Sequence, residues 1–257
     1  MCADEGPLMK AWIDADWPAP PGVRALTTTR YGLGISEAPF DTFNLGLRSG
    51  DEFDAALENR RQLEAALQLP SPPRWLKQVH SIEVAIEPGF DEPEADASVT
   101  SEAGTVLAIL TADCLPVVFA ARDGSEIAAA HAGWPGLSAG MLEAAVAAMR
   151  TPAASLQAWI GPAAGSQHYE IGEEVRERFI AHDPRALSAF VATRPGHWLV
   201  DLFTIARMRM IDAGLDPQHI HGGSICTISD PQRFFSHRRD QRSGRMATLV
   251  WMAPSAA

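Results

Sequence analysis

The densest chemistry in this chain lies in one stretch. It reads Thr111-Ala112-Asp113-Cys114-Leu115-Pro116, then Asp123-Gly124, then Ala130-His131-Ala132-Gly133-Trp134. Asp-Gly between two apolar runs signals a two-residue hairpin loop. With Asp123 and Gly124 as that loop, Arg122 pairs with Ser125 and His131 falls opposite Pro116. Cys114 then shares a face with Pro116, one diagonal step from His131. Diagonal neighbours have Cα atoms ~7–8 Å apart, with Cβ atoms somewhat closer. A thiolate and an imidazole at that spacing can both reach one metal ion, whose ligand bonds are ~2.0–2.3 Å. His80 opens an alternating run from Ser81 to Glu87 and is the candidate third ligand. Two histidines and one cysteine leave a fourth tetrahedral position open, the arrangement of a catalytic zinc, which lowers the pKa of bound water to ~7. The same Cys114 and His131, without metal, make a nucleophile and its base. The plainest alternative is a small buried thiol and a core histidine.

The elements that must position these residues follow from periodicity. Strands are expected at Ala25 to Thr29, Ser81 to Glu87, Thr105 to Leu110, Leu115 to Ala121 and Glu126 to Ala130. Later strands are expected at Leu156 to Ile160, His197 to Val200, Ser224 to Ile228 and Met246 to Trp251. Helices are expected from Asp51 or Asp54 to about Leu69, with Leu57, Leu63 and Leu67 as apolar positions, and from Pro135 to Met149. Two more cover Glu173 to His182 and Leu202 to Ala213, the last closed by Gly214. Strands and helices mix throughout and no long linker interrupts them. The expectation is one α/β domain over residues 1–257, with antiparallel pairing at its centre.

Composition removes several function classes. The 257 residues are 46% hydrophobic, and no apolar run approaches the ~20 residues that a membrane span needs. Met1-Cys2-Ala3-Asp4-Glu5 is acidic and lacks the pattern of a signal peptide, so a cytoplasmic protein is expected. A net charge of −11 argues against a nucleic-acid or anionic-membrane binder. The one dense basic cluster is Arg233, His237, Arg238, Arg239, Arg242 and Arg245, which suits a small anion. Cys2, Cys114 and Cys226 are an odd set without paired spacing, so a disulfide scaffold is not expected. Cys226 reads as a buried strand thiol and Cys2 as a terminal one. His219 and His221, in a loop reading, form the one His-x-His pair among eight histidines.

Taken together the motifs resemble the YfiH-like family, whose members are described variously as polyphenol-oxidase laccase-domain proteins, purine nucleoside phosphorylases and peptidoglycan editing factors. The likeness runs from Thr28-Thr29-Arg30 to Trp251 through Phe43-Asn44-Leu45-Gly46, Glu58-Asn59-Arg60, Gln78-Val79-His80, Ile160-Gly161-Pro162, Tyr169-Glu170, Cys226-Thr227 and Phe234-Phe235-Ser236. It implies an α/β (α+β) fold of mixed β-sheets sandwiched between helices, and zinc held by His80, Cys114 and His131. It also implies phosphorolysis of purine nucleosides (adenosine, inosine, methylthioadenosine) and deamination of adenosine, with Asn44 and Arg60 on the nucleoside and phosphate. Rival activities are a cysteine-nucleophile hydrolase editing peptidoglycan precursors and a copper-loaded polyphenol oxidase, copper outcompeting zinc on affinity. Three places depart from the family pattern: Pro135 stands where arginine is common, His237 replaces a usual tyrosine, and Tyr31-Gly32-Leu33-Gly34 is one residue longer. Asp113, next to Cys114, alternates to the opposite face and reads as a supporting residue. Oligomeric state is not legible.

Overall fold

A computed structural model describes residues 10–254. The acidic N-terminus and Cys2 lie outside the described residues. In chain order the first half forms β1 (Trp12–Asp14), β2 (Val23–Thr28), α1 (Phe53–Leu67), β3 (Val84–Ile86), β4 (Ala97–Thr100), β5 (Val106–Thr111), β6 (Leu115–Ala121) and β7 (Ile127–Ala132). Then come α2 (Trp134–Ala139), α3 (Met141–Ala148), β8 (Leu156–Ile160), β9 (Glu170–Gly172), α4 (Glu173–His182), β10 (Phe190–Arg194) and β11 (His197–Val200). The chain continues with α5 (Leu202–Asp212), β12 (Ile220–Gly222), α6 (His237–Asp240) and β13 (Met246–Met252).

These strands make a four-stranded sheet β1-β2-β13-β5, a six-stranded sheet β12-β8-β6-β7-β4-β3 and a small sheet β10-β11-β9. The β12–β8 and β3–β4 pairs are parallel; the other pairs are antiparallel. Strand alternation builds the layers. Val118 and Ala120 of β6 meet Leu107 and Ile109 of β5 between the two larger sheets. Val117 and Phe119 point the other way, onto Leu142 of α3, Phe179 of α4 and Met210 of α5. Leu26 and Leu249 cover the far face of the four-stranded sheet with Leu63 and Leu67 of α1. The expected mixed sheets between helices are therefore present.

The central hairpin carries the expected register: Pro116 pairs with His131 and Leu115 with Ala132. Its loop is wider than two residues. Ala121 receives the Gly124 N–H and pairs with Glu126, leaving Arg122 to Ser125 outside the ladder. Widening by one residue on each side keeps the loop centred on Asp123-Gly124, so the register survives.

Several boundaries differ from expectation. The helix expected from Pro135 to Met149 breaks at Gly140, whose φ of +106° only glycine adopts readily, giving α2 and α3. The first helix begins after Glu52 rather than at an Asp51 or Asp54 cap, because the Asp51 carboxylate is taken by Ser36 and Asn44. Leu57 is exposed, and α1 instead buries Ala56, Asn59, Arg60, Leu63 and Leu67. Only Val84–Ile86 of the Ser81–Glu87 run is a strand, with Ile82 and Ile86 exposed. Cys226 makes a single bridge to Ala163 instead of lying in a Ser224–Ile228 strand, and His221 sits in β12 rather than in a loop.

Candidate metal centre

The Pro116–His131 pairing puts Cys114, just before β6, beside His131 near the end of β7. His80 enters from the loop before β3. The ligand atoms of His80, Cys114 and His131 all lie within 4.8 Å of one another. The Cys114 Sγ is 3.7 Å from His80 Nε2, and the two imidazoles meet edge to face with centroids 4.7 Å apart. His131 is buried, His80 exposed and Cys114 between them, so the group opens to solvent on one side.

Two carboxylates hold this geometry. Asp96 precedes β4 beside His131, receives its backbone N–H at 2.7 Å and bonds its Nδ1 at 2.8 Å. That bond leaves His131 Nε2 as the free ligand atom. The other Asp96 oxygen accepts from the backbone N–H groups of Val79 and Ser81 and from the Ser81 hydroxyl, the residues flanking His80. His80 has a φ of +62°, a conformation that a non-glycine residue holds only when its surroundings fix it. Gln78 fixes it from the other side: its side-chain amide exchanges two 2.8 Å hydrogen bonds with the backbone of Leu110 on β5. Asp113, at φ +84°, turns its carboxylate away to Thr227, Ser236 and the Arg238 N–H. It supports Cys114 and does not join the ligand group.

Packing leaves no slack behind the ligands. A Cβ on Gly133 would lie 2.5 Å from His80 Cδ2 and 3.0 Å from Cys114 Sγ. Burial pushes the Cys114 thiol up, but the positive charge and hydrogen bond of His131, with a hydrogen bond from His80, outweigh it and bring the thiol down to about 6. Burial pulls His131 down, yet Cys114 and Asp96 raise it to about 9. Burial also pushes Asp96 up, against the His131 and Ser81 hydrogen bonds that bring it to about 2. A half-buried thiolate with two imidazole nitrogens is a donor set that zinc or copper accepts.

His80 separates two cavities. One, of about 220 Å3, is walled by Arg48, Arg60, Lys77, Gln78 and Arg245. The other, of about 250 Å3, is walled by Cys114, Trp134, Tyr169, Leu202, His237 and Arg238. Arg60 is buried, stacks 3.9 Å from the Trp75 ring, donates to Leu45 O and pairs with Glu92 at 3.2 Å. Asn44, 0% exposed, does not touch the ligand group. Its amide bonds Gly46, Ser49 and Asp51, and its oxygen accepts the Arg245 N–H. Arg245 makes no ion pair among the described residues; its Nη1 donates to Ser243 and Gly244 carbonyls.

The basic cluster read along the C-terminal segment does not form one patch. Arg233 pairs with Asp230 and Arg239 with Asp240, while Arg238 and Arg245 face different cavities. Pro135 occupies the first turn of α2, where its missing N–H costs nothing. Asp96 and Arg245 were not singled out individually by sequence reasoning. Neither has a local motif; the Asp96 partners come from residues 79–81 and 131.

The family model described as multi-copper polyphenol oxidoreductase laccase matches residues 24–253. A relative from Xylella fastidiosa (strain Temecula1), named purine nucleoside phosphorylase, is 58% identical over 94% of this chain and 97% of its own. Purine nucleoside phosphorylase YfiH of Escherichia coli K12 is 45% identical over 95% of this chain and 100% of its own. A solved structure from Neisseria meningitidis is 40% identical, with a TM-score of 0.90 over 95% of this chain and 100% of that one. The structure of YlmD from Geobacillus stearothermophilus is 29% identical, with a TM-score of 0.87 over 95% and 97% of the two chains. This chain belongs to the laccase-like YfiH family.

Proposed function

We propose that this protein is a zinc-dependent purine nucleoside phosphorylase that splits adenosine, inosine or methylthioadenosine with phosphate into the free base and the sugar 1-phosphate. One observation carries the reading: His80, which meets Cys114 and His131, lines both a cavity walled by cations and a cavity walled by aromatic and hydrogen-bonding side chains, and Cys114 lines the second. Phosphorolysis needs an anion and a planar base held on either side of the reacting sugar carbon.

Arg60 and Arg245 hold the phosphate. Their planar guanidinium groups match its oxygens, and burial lowers the pKa of both by withholding solvent from the charge. Asn44 acts on the substrate indirectly, by fixing the backbone of Gly46 and Arg245. Trp134 and Tyr169 offer aromatic faces to the purine. The Tyr169 hydroxyl, whose pKa burial and the Cys114 charge raise, donates to the departing base. His237 and Arg238 supply further donors at the same wall. His80, Cys114 and His131 would hold the metal, which when bound supplies Lewis-acid polarisation of a substrate or water oxygen. Deamination of adenosine is carried over from the family resemblance and is read as inosine formed from adenosine.

A second reading has its own observation. Asp96, His131 and Cys114 stand in the order carboxylate–imidazole–thiol, with Cys114 brought down to about 6, as in a cysteine hydrolase acting on a cell-wall precursor. His80 adds only a hydrogen bond to the thiol in that chemistry, whereas the metal reading uses it as a third donor, which favours the metal reading. The two are separated by a pair of treatments. Chelation is expected to abolish nucleoside turnover and zinc to restore it. Activity that survives chelation but is lost when Cys114 is alkylated would establish the thiol reading instead.

Copper oxidase chemistry of the several-copper kind needs more than one metal group. His80, Cys114 and His131 are the one such three-residue group among the described residues.

A further inference from the structure

A second thiol–imidazole pair lies outside the metal centre. Cys226 Sγ is 3.7 Å from His168 Nδ1 and accepts the Gly165 N–H at 3.2 Å. The thiol is half-buried and free. Its backbone is clamped on both sides: Ala163 N–H donates to Ile225 O, and Thr227 N–H donates to Ala163 O. The turn that follows Gly165, closed by the His168 and Tyr169 N–H groups on the Gly165 carbonyl, carries the imidazole back over the sulfur. Gly165 is required for the contact, since a Cβ there would sit 2.9 Å from Cys226 Sγ and 2.8 Å from its Cβ.

The pair opens on a cavity of about 390 Å3, larger than either cavity at the metal centre. Its lining is polar: Ser166, Gln167, Thr204, Arg207 and Ser224 among others. Arg207 is fixed by donation to the carbonyls of Ile220 and Gly222. The features converge on one chemistry. An imidazole nitrogen stands 3.7 Å from the sulfur, placed to take the thiol proton during attack, an amide N–H is aimed at the sulfur, and the partial exposure gives a reagent access. The room and polarity of the cavity suit one arm of a disulfide of amino-acid or small-peptide size.

We propose that Cys226 and His168 form a reactive-thiol site that exchanges with small polar disulfides, independently of the metal centre. The His168 Nδ1 takes the Cys226 proton, and the sulfur attacks one sulfur of RS–SR. The S–S bond of the reagent breaks, its electron pair leaves with RS⁻, and the proton passes from His168 to give RSH. The product is Cys226–S–SR, and no outside oxidant is needed.

The test uses the full chain as purified, exposed at pH 7 to glutathione disulfide, quenched in acid and mapped by peptide mass spectrometry. The native protein forms a mixed disulfide at Cys226 about tenfold faster than the same cysteine does in the guanidinium-unfolded chain. His168→Asn, with its circular dichroism unchanged, falls to the unfolded-chain rate. The native-to-unfolded comparison needs no variant, so a misfolded substitution does not blunt the test. The proposal is overturned if native Cys226 reacts no faster than the unfolded chain, or if His168→Asn keeps the native rate. It is overturned equally if hydrogen peroxide oxidises Cys226 while glutathione disulfide leaves it untouched.

Discussion

The centre depends on residues that would touch no metal. Asp96 joins both histidines: one oxygen orients the His131 ring, and the other closes on the amides that flank His80. Partners of this kind typically carry a 10–100-fold effect on metal affinity or activity. Asp96→Asn is therefore expected to retain the fold and lose zinc affinity by about that 10–100-fold factor, measured by competition with a zinc chelator. An unchanged affinity would show that the His131 ring is fixed by packing alone. Gly133→Ala tests the same geometry by volume. The added methyl collides with His80 and Cys114, so zinc content and turnover are expected to fall together while far-ultraviolet circular dichroism is kept. At this scale the sequence was informative about which residues meet and silent about what supports them. Cys114 and His131 follow from the parity of one hairpin. Asp96 is bonded to residues 15 to 35 positions away, which no local spacing reveals.

The elements place the centre at one end of the six-stranded sheet, beside the interface with the four-stranded sheet. The hairpin β6–β7 was legible because both strands are long apolar runs and the Asp-Gly pair marks the turn. The strand Trp12–Asp14 and the three-residue pieces at Glu170–Gly172 and Ile220–Gly222 were not, since pieces of three residues carry no period. The break at Gly140 was hidden because helical spacing continues across it, and only the backbone shows the left-handed turn.

Glu126 ties the loop end of the hairpin to the segment after α3, accepting the Arg150 and Thr151 N–H groups at 3.0 and 2.8 Å. Burial pushes its carboxyl up, and those hydrogen bonds bring it below its ordinary value. Its stabilising contribution is then full above the unfolded pKa of ~4.3 and lost as pH falls through the lower folded value. Glu126→Gln is expected to cost ~1–3 kcal/mol at pH 7, with the gap to the unsubstituted protein closing in acid. Urea unfolding at pH 7 and below pH 4 checks this; a gap that widens in acid reverses the assigned sign.

At the scale of the molecule, three layers of contact turn scattered residues into one site. The loop carrying His80 is bonded to β5 of one sheet through Gln78, while Cys114 leads into β6 and His131 lies on β7 of the other sheet. The cationic cavity draws Arg60 from α1 and Arg245 from the approach to β13. The wall with Trp134 and Tyr169 comes from α2 and the approach to β9. Among the described residues no helix is long and apolar enough to cross a membrane. The mixed sheets between helices and the meeting of His80, Cys114 and His131 were legible in the sequence, through the family motifs and the hairpin register. The division into two cavities was not, because their walls come from segments that only the packed sheets bring together.

The most direct measurement follows adenosine by chromatography, with and without phosphate, before and after chelation and zinc restoration. The proposed phosphorolysis gives adenine and ribose 1-phosphate only when phosphate is present, lost on chelation and regained with zinc. A zinc-loaded protein that leaves adenosine, inosine and methylthioadenosine intact in phosphate contradicts it.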